Sequence, residues 1–191
     1  MTITPLFAAP FMKINLLADD YNLEALTSYA NIQMAKDSDG IVKSNVGGWH
    51  SKNLDLRDAT ITRTLRKLGQ HINQFIDFYK VDREKYNWEF SESWFITNRK
   101  GDYNVSHVHP NSFLSGVFYL QTPENSGDLC LHSTDYAVNN KISEYLNDQP
   151  IRIKPEINKL VLFDANCSHY VTRSYSDEPR VSFSFNANVH F

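Results

Sequence analysis

Cysteine is scarce in this chain: its 191 residues include only Cys130 and Cys167, at no metal-ligand spacing. A disulfide framework is not expected, and two reduced, buried thiols are the reading, with one disulfide the alternative. Long apolar runs are absent as well. No stretch approaches the roughly eighteen consecutive apolar residues of a membrane-crossing helix. Residues 1–17 are interrupted by Pro5 and Pro10 and lack a basic start ahead of an unbroken apolar run, so no signal peptide is expected. Excess positive charge is missing too: 19 Lys and Arg stand against 22 Asp and Glu, for a formal charge of −3, and the cations are scattered along the chain. That excludes the electrostatic footprint of a dedicated nucleic-acid binder.

Large apolar side chains are plentiful. Twelve Phe, ten Tyr and three Trp within a 41% hydrophobic composition are enough to close a core without staples. The length suits one compact domain over residues 1–191. Asp19 and Asp20 are candidate helix caps, and Leu23, Leu26, Ala30 and Met34 recur at three- and four-residue steps, predicting a helix over 20–36. Between 56 and 79, Ile61, Leu65, Leu68, Ile72, Phe75, Ile76 and Tyr79 form a better stripe, predicting a core-facing helix. The Gly47-Gly48 pair between the two helices marks a sharp turn or a close backbone approach.

From about Tyr86 the period changes to two. Candidate strands run over 88–98, 104–109, 113–121, 127–132, 151–154, 159–163, 169–174 and 180–190. Eight strands of this spacing suit a double-sheet jelly roll, giving a mainly β, α+β chain with a helical portion over about 17–80 and a β core over about 86–191.

Chemistry concentrates in the histidines. His107 and His109 are two apart on a predicted strand and so point to one side of the sheet. His169 follows the apolar strand Lys159-Leu160-Val161-Leu162-Phe163, and in a jelly roll such distant strands can be neighbours. Three convergent imidazoles make an open site for iron, zinc, copper or nickel. By itself a His-x-His pair also occurs as two unrelated surface rings. The final strand adds weight: Val181, Phe183, Phe185, Ala187 and Val189 alternate with Arg180, Ser182, Ser184, Asn186 and Asn188. Its polar side faces either water, as on an edge strand, or a cavity, where Arg180 would grip a carboxylate through two parallel bonds and Ser182 would add a third.

His169 followed eleven residues later by Arg180-Val181-Ser182 resembles the distal half of the 2-oxoglutarate and iron(II) oxygenase signature. The segments Trp94-Phe95-Ile96-Thr97-Asn98, His107-Val108-His109-Pro110, Ser115-Gly116-Val117-Phe118-Tyr119-Leu120 and Leu160-Val161-Leu162-Phe163 are similar to a prolyl-hydroxylase-like group from bacteria and phages. The resemblance covers about residues 90–191. It implies a double-stranded β-helix, iron(II) at His107 and His169, and 2-oxoglutarate as cosubstrate with its far carboxylate on Arg180 and Ser182. It also implies substrate hydroxylation with release of succinate and carbon dioxide in the cytoplasm of a bacterium or a phage-infected cell. One departure stands out: His109 occupies the place of the usual Asp or Glu. The site then has three histidines, or two histidines and water, with Asp102, Asp128 and Asp164 ranked below His109.

Tyr119 and Asn98 are candidate cosubstrate contacts, against a core Tyr and a solvated Asn. Trp49 and His50 lie in the Gly-rich loop, as part of a substrate lid or as ordinary buried residues. His71, His132 and His190 read as structural. A small molecule or a protein side chain is the expected substrate, long nucleic acids and membranes are not expected partners, and a homodimer is open. Two other classes compete: a cupin-like metal- or sugar-binding barrel without oxygenase activity, and a metal-free β-sandwich that binds a partner through aromatic surface.

Overall fold

The structure, a computed structural model, describes residues 9–17, 21–132 and 150–190. Its elements in chain order are β1 (Phe11–Asn15), α1 (Leu23–Lys36), β2 (Asn45–Val46), β3 (Trp49–His50), α2 (Ala59–Asp77), β4 (Asn87–Asn98), β5 (Tyr103–His107), β6 (Leu114–Gln121), β7 (Leu129–His132), β8 (Ile151–Ile153), β9 (Lys159–Asp164), β10 (Ser168–Val171) and β11 (Arg180–His190). The strands form a six-stranded sheet in the order β1-β9-β6-β11-β4-β3 and a five-stranded sheet in the order β2-β5-β10-β7-β8. All pairings are antiparallel. This is the jelly roll expected from the strand spacing, with helices on the outer face of the larger sheet.

Both helices start later than their apolar spacing suggested, because caps rather than periodicity set their ends. The Asn22 side chain accepts from the Ala25 N–H at 2.9 Å and opens α1, whereas Asp19 and Asp20 lie outside the described residues. Asp58 accepts from the N–H groups of Thr60 and Ile61 and opens α2. The predicted stripe of α2 is buried from Ile61 through Ile76. It packs on Phe95, Phe118, Leu160, Leu162, Phe183 and Phe185 of the larger sheet, forming the main core. Each such side chain removed from water contributes about 1.5–3 kcal/mol. Gly116 is required here, since a Cβ at this position would run into the Phe185 ring.

Strand structure also begins before residue 86. β1 adds to the edge of the larger sheet beside β9, while β2 and β3 are only two residues long, too short for an alternating signal. Gly47 and Gly48 turn the chain between them with φ of 66° and 62°. Trp49 and His50 are therefore not a lid. They are buried in β3, and the Trp49 indole donates to the Asp37 carbonyl at 2.7 Å. Cys130 and Cys167 are free thiols. Among the described residues no helix is long and apolar enough to cross a membrane.

Candidate metal centre

The alternation of β11 decides which groups reach the space between the sheets. Its apolar side chains face the helices, and Arg180, Ser182, Ser184 and Asn186 face the smaller sheet. Arg180, Ser182 and Asn186 are each no more than 3% exposed, so the polar side is turned inward. In register, Arg180 lies opposite Asn98 of β4, and Ser182 lies between Ile96 of β4 and Tyr119 of β6.

Across the cavity, His107 at the end of β5 pairs directly with His169 of β10, which sets two imidazoles side by side. Their ring centroids are 4.1 Å apart, and the His109 ring lies 5.1 Å from His107 and 5.0 Å from His169. The three offer nitrogen atoms that all lie within 4.8 Å of one another. The predicted reason for their meeting holds only in part. β5 ends at His107, so His109 is not on the strand; Pro110 follows it and lacks the N–H that would continue a ladder. His109 reaches the cluster because its own N–H donates to the Ala165 carbonyl at 2.8 Å, in the turn between β9 and β10.

The electrostatics suit a cation. Burial pushes His109 down to about 4 and His169 down to about 3, with the neighbouring imidazoles adding to the effect, so both rings are neutral at pH 7. Burial lowers His107 as well. His107 Nδ1 donates to the Val105 carbonyl at 2.8 Å and His169 Nδ1 to the Cys167 carbonyl at 2.9 Å. Each bond fixes the tautomer that leaves Nε2 as a lone-pair donor, the outer contact usual for metal-binding imidazoles.

One charged side chain in the cavity has no ion-pair partner among the described residues, with Asp128 acting on it only from beyond ion-pair distance. Arg180 donates through Nη1 to the Gly127 carbonyl at 3.0 Å, and its Nε has no hydrogen-bond partner among the described residues. Burial works against its charge and pulls its pKa down. A guanidinium held this way fits an incoming carboxylate. Tyr119 is buried on the same wall, and burial pushes its phenol up to about 12, so it stays protonated. Asn98 is buried rather than solvated, donates to Asn104 Oδ1 at 3.2 Å and has an unpartnered Oδ1.

The histidines stand between two spaces. An inner cavity of about 80 Å³ is lined by Arg180, Ser182, Tyr119, Leu129 and the three rings. An outer cleft of about 690 Å³ is bounded by Lys43, Glu92, Trp94, Asn111 and, again, His107 and His109. His50 lines both and is stacked on Trp94 at 5.7 Å, a contact that no spacing in the sequence signals. The acidic alternatives stay out of the cluster: Asp102 accepts from the Arg99 N–H, Asp164 from the Tyr79 hydroxyl, and Asp128 lies by Arg152. His71 contacts Gln70 and Gln74, His190 contacts Glu89, and His132 bonds Ser106 and Ser168 beside the triad without joining it.

Residues 92–186 match the family model described as "Putative 2OG-Fe(II) oxygenase", a span that takes in the three histidines, Arg180 and Ser182. No curated protein matches the chain. Among solved structures the chain is similar to a Pseudomonas putida prolyl-4-hydroxylase, at 16% identity over 93% of this chain and 92% of that one, with a TM-score of 0.64. It is similar to the viral collagen prolyl hydroxylase of Paramecium bursaria Chlorella virus-1, solved as a 2OG complex, at 15% identity over 93% and 94% with a TM-score of 0.60. HygX from Streptomyces hygroscopicus, solved with nickel and 2-oxoglutarate, gives 8% identity over 94% and 83% and a TM-score of 0.65. At such identities the likeness is one of fold, the double-stranded β-helix. The family match spans the β core that carries the site and identifies residues 92–186 as a 2OG-Fe(II) oxygenase core.

Proposed function

We propose that the protein is a 2-oxoglutarate- and iron(II)-dependent dioxygenase in which His107, His109 and His169 hold the metal. Arg180 and Ser182 anchor the far carboxylate of 2-oxoglutarate, with Tyr119 and Asn98 beside them. The observation that carries this reading is a buried guanidinium that forms no ion pair among the described residues, in one cavity with three clustered imidazoles.

Iron(II) and 2-oxoglutarate together supply the oxidation: the keto acid and dioxygen yield succinate and carbon dioxide while a substrate C–H becomes C–OH. The chain's own groups bind and exclude. Arg180 takes the carboxylate through parallel charge-assisted bonds, and Ser182, next on the same face, adds a hydroxyl donor. Phe163, whose ring lies 4.7 Å from that of His169, and Leu129 wall the cavity against water. His107 and His109 also face the outer cleft, which is the natural entry for a small molecule or a protein side chain.

The test is an anaerobic addition of iron(II) and then 2-oxoglutarate, followed by admission of oxygen. The expected result is a weak visible charge-transfer band that appears only with both present, and then succinate. Stoichiometric metal without a band or succinate would leave a metal-binding barrel in place of an oxygenase.

A further inference from the structure

Two of the three imidazoles are oriented by backbone. His107 and His169 each give an Nδ1 proton to the carbonyl two residues earlier. His109, the ring that stands where a carboxylate is usual, has no such carbonyl among the described residues. The group that meets its Nδ1 is the side-chain amide of Asn186, with Nδ2 3.5 Å away.

Asn186 is 2% exposed and lies on the cavity side of β11, opposite Ser115 of β6 and Glu92 of β4. Its amide is held from two further directions. Ser115 Oγ donates to Asn186 Oδ1 at 2.8 Å, and Asn186 Nδ2 donates to Glu92 Oε2 at 3.4 Å. The other oxygen of Glu92 accepts from Asn53 Nδ2 at 3.2 Å. This network joins β11, β6, β4 and the segment after β3 behind one ring.

An imidazole that gives its Nε2 lone pair to a cation carries its proton on Nδ1, and that proton needs an acceptor. Backbone supplies it for two rings. We propose that Asn186 supplies it for the third and is the positioning residue of His109, presenting Oδ1 to the Nδ1 proton when a divalent cation is bound. The proposal rests on the three-histidine reading above. The two ends of a carboxamide are nearly equal in size, so a half-turn about its last bond exchanges them in place. Ser115, whose hydroxyl here donates to Oδ1, accepts from Nδ2 in the turned form. Glu92 then keeps Asn53 and loses Asn186, so loading the metal frees a carboxylate oxygen toward the outer cleft.

Cobalt(II) titrated anaerobically into the full chain, by calorimetry and without 2-oxoglutarate, reads this directly. Asn186→Ala is expected to weaken cobalt on the order of 10- to 100-fold while its metal-free melting temperature stays close to the parent's. Asn186→Asp placed in a Glu92→Gln background, which avoids a carboxylate pair, is expected to keep the parent affinity because the new oxygen accepts the same proton. Ser115→Ala, which unseats the amide without removing it, is expected to lose about 10-fold and serves if Asn186→Ala does not fold. Parent-like cobalt affinity in Asn186→Ala, or equal losses in Asn186→Ala and the aspartate variant, overturns the assignment. If the parent binds cobalt no better than His169→Ala, the three-histidine centre itself fails.

Discussion

Replacing Arg180 by methionine pushes ligand affinity and stability in opposite directions, and the size of each change follows from the cavity. Two charge-assisted hydrogen bonds to a carboxylate are worth about 1.5–3 kcal/mol each, so losing both should weaken 2-oxoglutarate on the order of 10²- to 10⁴-fold. Without 2-oxoglutarate the guanidinium is a liability. It is 2% exposed, and among the described residues its Nε is unpartnered and no carboxylate lies at ion-pair distance. Well-packed apolar replacements of buried charged groups are often neutral or stabilising by about 1–4 kcal/mol. In a chain of this size each kilocalorie moves the melting temperature by about 2–4 °C. Calorimetric titration of 2-oxoglutarate into nickel-loaded protein gives the first quantity, and scanning calorimetry of ligand-free protein gives the second. The combination expected of a ligand anchor is a large loss of affinity with an unchanged or raised melting temperature. A lowered melting temperature with unchanged affinity would make Arg180 a structural residue and refute the reasoning.

Ser182→Ala removes one donor and keeps the charge, so 2-oxoglutarate should weaken about 10-fold with no change in metal content; loss of metal as well would place Ser182 in the metal site. The depressed histidines make the metal-free protein acid-sensitive, and the sign follows from their neutral folded forms. Below about pH 6.5 the unfolded chain takes up protons that the folded rings refuse, so stability present above that pH falls as pH drops toward the folded values of about 4 for His109 and about 3 for His169. At pH 5 His169 alone accounts for on the order of 2 kcal/mol. Melting of parent and His169→Phe at pH 7 and pH 5 checks it: the parent should lose more, and equal losses contradict the assigned burial. Gly116→Ala places a methyl against the Phe185 ring and should cost about 1–3 kcal/mol by overpacking, read by denaturant unfolding.

Much of this site was legible in the sequence because β structure has a period of two. The alternation of β11 named both its buried apolar face and the polar face that lines the cavity. Only packing could show that the polar face turns inward, since an edge strand carries the same pattern. His107 and His169 were readable as candidates, and the antiparallel register between β5 and β10 supplies their contact. For His109 the period-two argument holds only in part: the strand stops short of it, and its backbone is tied instead by its N–H to the Ala165 carbonyl. For His50 and Asn186 a loop and a polar strand face were readable, but not their contacts with the histidine cluster. His50 reaches the cavity from a two-residue strand, and Asn186 matters through partners 71 and 94 residues away in sequence. The helices begin a few residues inside their apolar repeats because Asn22 and Asp58 cap where hydrogen bonding, not hydrophobic period, dictates.

The most direct measurement of the central claim is anomalous diffraction from crystals loaded anaerobically with iron(II) and 2-oxoglutarate. One peak is expected at about 2.0–2.2 Å from a ring nitrogen of each of His107, His109 and His169, with the far carboxylate of 2-oxoglutarate on Arg180. A metal bound elsewhere, or a carboxylate that leaves Arg180 unpaired, would contradict it.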